Sequence, residues 1–454
     1  MRLAKEIVER FASGLKGELI RDGDAAYEDA RKIWNAMIDR SPDMIVRCRE
    51  TEDVVRAVNF AREHGIPLSV RAGGHSVSGN AICDEGLVID LSPMKEVHVD
   101  PERRVAAAQG GVTLKEFDLK TQEVGLATTG GIVSNTGIAG LTLGGGLGYL
   151  MRKYGLACDN LLGVETVTAD GRVLKVNARE NADLFWGVRG GGGNFGVVTS
   201  FEFRLHPVGK ILFGPVIHPL ERARDLLRFY REFMEGAPDE LQAYAGCLRS
   251  PEGAPVAAVV AAYVGPIEEG ERVLQPLREF GPPVADQIQP TAYADHRALF
   301  DAYYPSGLRN YWKSSFLREL SDGAIETMVR HFERAPSPLP AVALEPLGGA
   351  VARVGRDETA FDHRDAWSTV LITDAWMNPA EDEVHRAWVR GLWQDMQPYS
   401  TGGVYVNYLE EETDEGPDRV RAAYGTKYER LSALKRKYDP ENLFRLNQNV
   451  RPAM

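Results

Sequence analysis

Arg71, Ala72, Gly73, Gly74, His75, Ser76, Val77, Ser78, Gly79 and Asn80 form the stretch whose reading decides the fold. An apolar run at residues 66–70 precedes it and reads as a buried strand, so the glycines lie where a strand opens and its backbone can approach a ligand closely. A nucleophilic side chain, His75, stands in the middle. Alone, it is more often an ordinary hydrogen-bonded loop histidine than a reactive group, because a lone histidine has many structural uses.

The surroundings give the loop a setting. Residues 44–47 read as a short strand, and Thr51 opens a helix as its cap, with Glu52 and Asp53 favourably placed in the first turn and Gly65 at the end. Residues 86–91 form another apolar run. Residues 97–99 and 105–108, joined by a turn at Asp100 and Pro101, suggest a hairpin, and Thr113 with Glu116 has the spacing of a capping box before a helix that stops at Gly125. The expected result is an α+β domain.

Two more glycine regions follow. Residues 128–148 hold Gly130, Gly131, Gly137, Gly140, Gly144, Gly145, Gly146 and Gly148, whose bare amides can form anion-binding nests for a pyrophosphate. The interspersed Ile132, Val133, Ile138, Leu141, Leu143 and Leu147 mark a packed loop and not a linker. Residues 164–168 and 173–176 read as a hairpin turning at Asp170 and Gly171. Gly191, Gly193 and Gly196 then spell GxGxxG, but Phe201, Phe203 and Leu205 alternate with Glu202 and Arg204, so a strand follows where a dinucleotide fold needs a helix.

A chain of 454 residues exceeds what one core supports, so two or three domains are expected. Its net charge of -12 argues against nucleic acid or an anionic membrane as partner and leaves small molecules. Cys48, Cys83, Cys158 and Cys247 contain no CxxC pair, which indicates neither a zinc site nor a disulfide framework and fits a reducing compartment; no metal is expected. Residues 1–15 read as an amphipathic helix and not a signal peptide, and no run is long enough to span a bilayer, so a cytoplasmic location is expected.

From about Val208 longer strands alternate with amphipathic helices: strands at 256–264, 342–347, 350–354, 368–376 and 404–409, and helices at 221–233, 268–280, 322–334 and 380–396. A mostly antiparallel sheet with helices over one face is expected, its other face free to cover a ligand. A helix over 418–437 and a tail over 438–452, too small to fold alone, are expected to pack back on the first domain.

Taken jointly, the motifs resemble the berberine bridge enzyme-like group of the vanillyl-alcohol oxidase and p-cresol methylhydroxylase (PCMH) flavoproteins over nearly the whole chain. The carriers are the Arg71–Ser76 block, the glycine loop ending in Gly144–Gly148, Lys153–Leu156 with Asp159 and Asn160, Arg189–Gly193, Tyr405–Tyr408, and Tyr438, Asp439, Pro440, Asn442 and Phe444. The resemblance implies a two-part PCMH-type FAD-binding domain, 1–208 and a returning segment 410–454, around a substrate domain at 209–409. It places FAD contacts at Arg71, Gly73, Gly74, Ser76, Gly79, Gly131, Thr136, Gly137, Gly140, Gly144, Gly145, Gly196, Val198, Asn447 and Asn449. His75 matches the histidine bonded to the 8α carbon of FAD, a role suited to a neutral imidazole nucleophile. Many members add a cysteinyl link; Val133 holds that position here, so a single link is expected, with Cys158 a buried structural thiol.

Oxidising an alcohol by hydride transfer needs a base for the hydroxyl proton. Tyr405 matches the family's catalytic tyrosine, but a free phenol titrates near 10 and must be activated or act in a concerted relay. The plant members' helping tyrosine and lysine are replaced by Leu147 and Thr369, so Tyr311 and Lys313 are the substitutes considered, against the plainer reading of a lysine at the sheet edge. Alternation in a strand over 404–409 would put Tyr405 and Asn407 on one face and Tyr408 on the other.

The resemblance implies FAD-dependent oxidation of a CH–OH substrate with dioxygen reduced to hydrogen peroxide, Thr136 standing at the oxygen-access position. The alternatives are a flavin dehydrogenase with another acceptor, oxidative C–C or C–O bond formation on a secondary metabolite, or a flavin carrier without turnover. Hydrolysis is set aside, since Gly74 to Ser78 falls one glycine short of a nucleophile elbow. A monomer or small homo-oligomer is expected. The substrate itself is left open, because a fold does not fix it.

Overall fold

The computed structural model describes residues 3–410 and 417–454. The strand Leu68–Arg71, which delivers the histidine loop, is at the edge of a four-stranded sheet, parallel to Leu87–Asp90. Met44–Arg47 follows in parallel, and Glu18–Arg21 closes the far edge antiparallel. Helix Thr51–His64 buries Val54, Ala57, Val58 and Ala61, and ends where Gly65 takes the left-handed conformation at φ 62°. Thr51 does not cap it: Glu50 holds the cap position, and the Thr51 hydroxyl instead donates to Glu165 Oε1 at 2.7 Å in the next sheet.

That second sheet has five antiparallel strands, in the order Val97–Asp100, Val105–Gln109, Val197–Arg204, Leu161–Val167, Val173–Asn177. Both expected hairpins are present. Val197–Arg204 is the strand that removes a nicotinamide-type reading of the glycines before it. The Thr113 capping box forms as its spacing requires, the Thr113 N–H donating to Glu116 Oε2 at 2.8 Å.

The third sheet has eight strands, antiparallel at every pairing. Helices Ala223–Glu235, Ile267–Glu279, Asp322–Phe332 and Asp382–Met396 pack in one core against one face, burying Leu226, Tyr230, Leu274, Met328 and Leu392 among sheet residues such as Val216, Leu344 and Ile372. The architecture is α+β, with this sheet covered by helices on one face. The strands Lys210–Pro219 and Leu241–Arg249 escaped the sequence reading, the first because two prolines and Gly214 interrupt its pattern.

Two expected strands are not strands. Residues 350–353 lie in the short helix Gly349–Arg353, and Val354 follows it: Gly348 and Gly349 both have positive φ and turn the chain against Arg152, whose carbonyl would be 2.3 Å from a Cβ on Gly349. Residues 404–409 contain the 3₁₀ turn Val406–Tyr408, closed by the Tyr408 N–H on the Tyr405 carbonyl at 2.9 Å. With three residues per turn, positions i and i+3 share a side, so Tyr405 and Tyr408 face the same way. The helix expected over 418–437 is two, Pro417–Tyr424 and Tyr428–Tyr438, separated by a turn at Gly425 with φ 49°.

The tail returns to the glycine loops. Lys435 Nζ, fully buried, pairs with Asp439 at 2.8 Å and donates to the carbonyls of Asn194 and Phe444 at 2.7 Å each. Breaking one member of so buried a pair costs about 3–5 kcal/mol. Residues 411–416, within the expected C-terminal segment, lie outside the described residues.

Candidate active site

A cavity of about 320 Å³ opens where the three glycine regions meet the helix-free face of the eight-stranded sheet. Its formation depends on close backbone contacts. Gly73 packs so tightly against the second loop that a Cβ there would be 2.3 Å from the Gly137 amide nitrogen. Gly74 takes φ 67° and swings the chain so that His75 reaches the wall. Gly73→Ala is therefore expected to lower unfolding free energy by about 1–3 kcal/mol and to reduce flavin content, read from denaturant melts and visible absorbance.

Of the residues expected at the cofactor, Gly73, Gly74, His75, Ser76, Gly131, Thr136, Gly137, Gly140, Gly196, Val198 and Asn447 line this cavity. Arg71 does not. Its guanidinium turns inward to Asp90 Oδ2 at 2.6 Å and to the carbonyls of Ala30 and Lys32, fixing where the strand ends. Gly79, Gly144, Gly145 and Asn449 are also off the wall. Gly144 and Gly145 serve it indirectly, since a Cβ on Gly144 would overlap the Asn407 amide at 2.0 Å and one on Gly145 would crowd Phe361 and Tyr405.

His75 is half-buried, with its Nε2 enclosed and without a hydrogen-bond partner among the described residues. Burial pulls its imidazole down to about 4, so the ring is neutral near pH 7. Asn447 Oδ1 is likewise buried and unpartnered, while its amide nitrogen donates to the Gly193 carbonyl at 3.1 Å. Orphaned polar atoms and bare glycine amides around one cavity fit a large polar group that supplies acceptors and donors of its own. Val133 lines the same wall, and Cys158 is buried away from it, its thiol pushed far up by burial.

Facing the glycine loops, Tyr405 Oη accepts the Gly146 N–H at 2.9 Å and the Asn407 Nδ2–H at 2.8 Å. Burial pushes its phenol up, and these two donors oppose the rise. Tyr408, expected to face away, is on the same wall, its ring edge-on to Tyr405 at 4.8 Å between centroids. Its hydroxyl donates to Glu345 Oε1 at 3.0 Å, and Thr369 donates to Oε2 at 3.0 Å. Burial raises the Glu345 carboxyl to about 7 against those two hydrogen bonds. Sequence reasoning missed Glu345; only the Tyr408 hydroxyl and the alternation of strand Ala341–Pro346 mark it.

Tyr311 and Lys313 are not at the site. Both are on strand Arg309–Leu317 with side chains toward the helices, Tyr311 accepting from Arg390 Nε at 3.1 Å and Lys313 lying over the Tyr311 and Trp393 rings. Between them Trp312 points the other way and lines the cavity with Tyr304 and Leu371. The two residues do share a face, as their spacing requires, but it is the helix-covered one.

Comparison with known proteins gives this arrangement a family. The profile described as FAD binding domain matches residues 42–177, and the one described as berberine and berberine like matches residues 404–451. An FAD-linked oxidoreductase of Dictyostelium discoideum is 33% identical, with 99% of this chain and 98% of that one covered. The crystal structure of 6-hydroxy-D-nicotine oxidase from Arthrobacter nicotinovorans superposes with a TM-score of 0.90 at 30% identity, covering 100% of both chains. A chitooligosaccharide oxidase superposes at 0.87 and 26% identity over 99% of this chain and 100% of its own. Glycine cradle, cavity and these likenesses define the class, an FAD-linked oxidoreductase. Within it the chain belongs to the berberine bridge enzyme-like family of PCMH-type flavoproteins. No helix among the described residues is long and apolar enough to cross a membrane.

Proposed function

We propose that the chain oxidises a CH–OH group of a small molecule, with FAD held covalently by His75 alone and dioxygen as the final acceptor. Held against the glycine loops, FAD would supply the hydride acceptor, with dioxygen as the oxidant that restores it and is reduced to hydrogen peroxide. The reading rests on one observation: a phenol oxygen, Tyr405 Oη, cradled by two N–H donors on the wall of the cavity that His75 also lines.

Those donors act on Tyr405 as an oxyanion hole acts on a developing charge, making loss of its proton easier at the moment of transfer. Tyr405 takes the substrate's hydroxyl proton within a concerted relay, and Asn407 orients it. Tyr408 meets Tyr405 edge to face and hydrogen-bonds Glu345, a group on the same wall whose carboxyl exchanges protons near neutral pH and which therefore suits uptake of the proton that leaves this corner. The aromatic rings of Trp312, Tyr304 and Tyr408 exclude water. Thr136, on the wall beside the second glycine loop, supports an oxidase over a dehydrogenase because its side chain is small.

A panel of sugars and aromatic alcohols mixed anaerobically with the protein tests the reaction: one class is expected to bleach the flavin, and air-saturated buffer to restore the colour within a turnover. Bleaching without fast reoxidation would make the protein a dehydrogenase.

Glu345 gives a pH signature. Its folded value, about 7, lies above the unfolded one of about 4.3, so the folded state holds the proton more tightly. The stabilisation is complete below the unfolded value and is lost as pH rises through about 7, a change on the order of 3–4 kcal/mol. Melting should fall across that window in the native protein and stay flatter in Glu345→Gln, while flavin reduction, which needs the ionised carboxylate, should rise through the same window only in the native protein.

A further inference from the structure

The neutral imidazole of His75 has no hydrogen bond on Nε2 to orient it, yet its ring is held. Trp34 lies flat on it, centroids 4.2 Å apart and planes 17° from parallel. Trp34 is 4% exposed and does not line the cavity, so it can act on a ligand there only through its neighbours. Its backbone N–H donates to the Gly74 carbonyl at 3.0 Å, directly before the histidine. Asn35 grips the other side, donating to the Val77 carbonyl at 3.0 Å. The loop is thus held on both flanks of His75 by two consecutive residues.

The same dipeptide is bound to the substrate sheet. The Trp34 indole N–H donates to the Tyr304 carbonyl at 3.1 Å, and its ring meets Trp312 edge-on at 5.5 Å. Asn35 donates to the Asn310 carbonyl and accepts the Asn310 N–H, both at 3.0 Å. Stacking fixes an imidazole plane while leaving both in-plane nitrogens free of the stacking partner, the condition a nucleophile needs.

We propose that Trp34 and Asn35 form a clamp that positions His75 for bond formation to the flavin, with Trp34 setting the plane of the ring. The proposal rests on the covalent reading above. In the step it assists, an imidazole nitrogen bonds to the flavin's 8α carbon, one C–H on that carbon and the imidazole N–H are broken, and two protons leave. The electron pair stays on the flavin ring system until dioxygen removes it.

The test uses full-length protein prepared without flavin, mixed with FAD in air, and precipitated with acid at intervals. The yellow colour left in the pellet reports the covalent fraction. Trp34→Leu is expected to fold, by its circular dichroism and melt, to bind FAD reversibly, and to form the link at least tenfold more slowly. Trp34→Phe, which keeps a flat ring, is expected to restore most of the rate. Linkage in Trp34→Leu at the native rate, or equal impairment of the Leu and Phe variants, would overturn the clamp. If Trp34→Leu does not fold, the Phe variant decides, since a slowed Phe variant of native stability also contradicts it. A native pellet without colour would remove the covalent reading itself, an outcome distinct from the others.

Discussion

In His75→Ala the flavin is expected to leave with the supernatant on acid precipitation, whereas the native protein keeps it in the pellet. The effect is all or none under the proposed link, in which the neutral His75 imidazole on the cavity wall is the nucleophile, because Val133 offers no thiol and Cys158 is buried elsewhere with its thiol held protonated. Reversible binding should survive the substitution. The close-packed backbones of Gly73 and Gly137 and the Asn447 amide on Gly193 do not depend on the imidazole. Removing the ring also strips Trp34 of its stacking partner, a change worth about 0.5–1.5 kcal/mol. Colour remaining with the denatured variant would reveal a second tether and overturn the placing of Val133 at the cysteinyl position.

Tyr405→Phe is expected to slow substrate-driven flavin reduction by about 10²–10⁴-fold, the range for losing a general base, with little change in substrate affinity. Rapid mixing under anaerobic conditions isolates that step from reoxidation. Phenylalanine keeps the ring between Phe361 and Tyr408 but leaves the Gly146 N–H without its acceptor and deprives the Asn407 amide of one of two. One such buried donor costs about 1–3 kcal/mol, so a lower melting temperature should accompany the slower rate. Tyr408→Phe separates the two tyrosines. It cuts the bond to Glu345 and spares the cradle at Tyr405, so its loss should vanish below about pH 7, where Glu345 is already protonated. An unchanged reduction rate in Tyr405→Phe would remove Tyr405 from the mechanism.

The parts of the fold legible in the sequence are those where one residue type has one physical use. Gly65 and Gly74 occupy left-handed positions, and the Thr113 and Glu116 pair announces its helix start, whereas Gly425 breaks a helix expected to run through it. The histidine loop was readable because strand, glycine pair and nucleophile are contiguous. The other half of the site was not, because it is assembled by packing. Alternation correctly put Tyr311 and Lys313 on one side of their strand, but which side the helices cover depends on Asp322–Phe332 and Asp382–Met396, distant in sequence. At Tyr405–Tyr408 an apolar, aromatic run looked like a strand and is a 3₁₀ turn, since the segment finds no strand partner; the change of period from two to three brought Tyr408 to the cavity. Arg71 has the opposite lesson: its neighbours line the cavity, while its own charge is consumed by Asp90. Trp34 carries no local signal and Glu345 only the alternation of its strand, and the folded chain brings them to His75 and Tyr408.

The central claim is that one histidine carries the flavin, and peptide mass spectrometry of the native protein tests it most directly. After tryptic digestion, the peptide containing His75 is expected to appear shifted by the mass of FAD less two hydrogen atoms, with fragmentation placing the shift on His75. An unmodified His75 peptide accompanied by free FAD, or a flavin found on any other residue, would contradict the account.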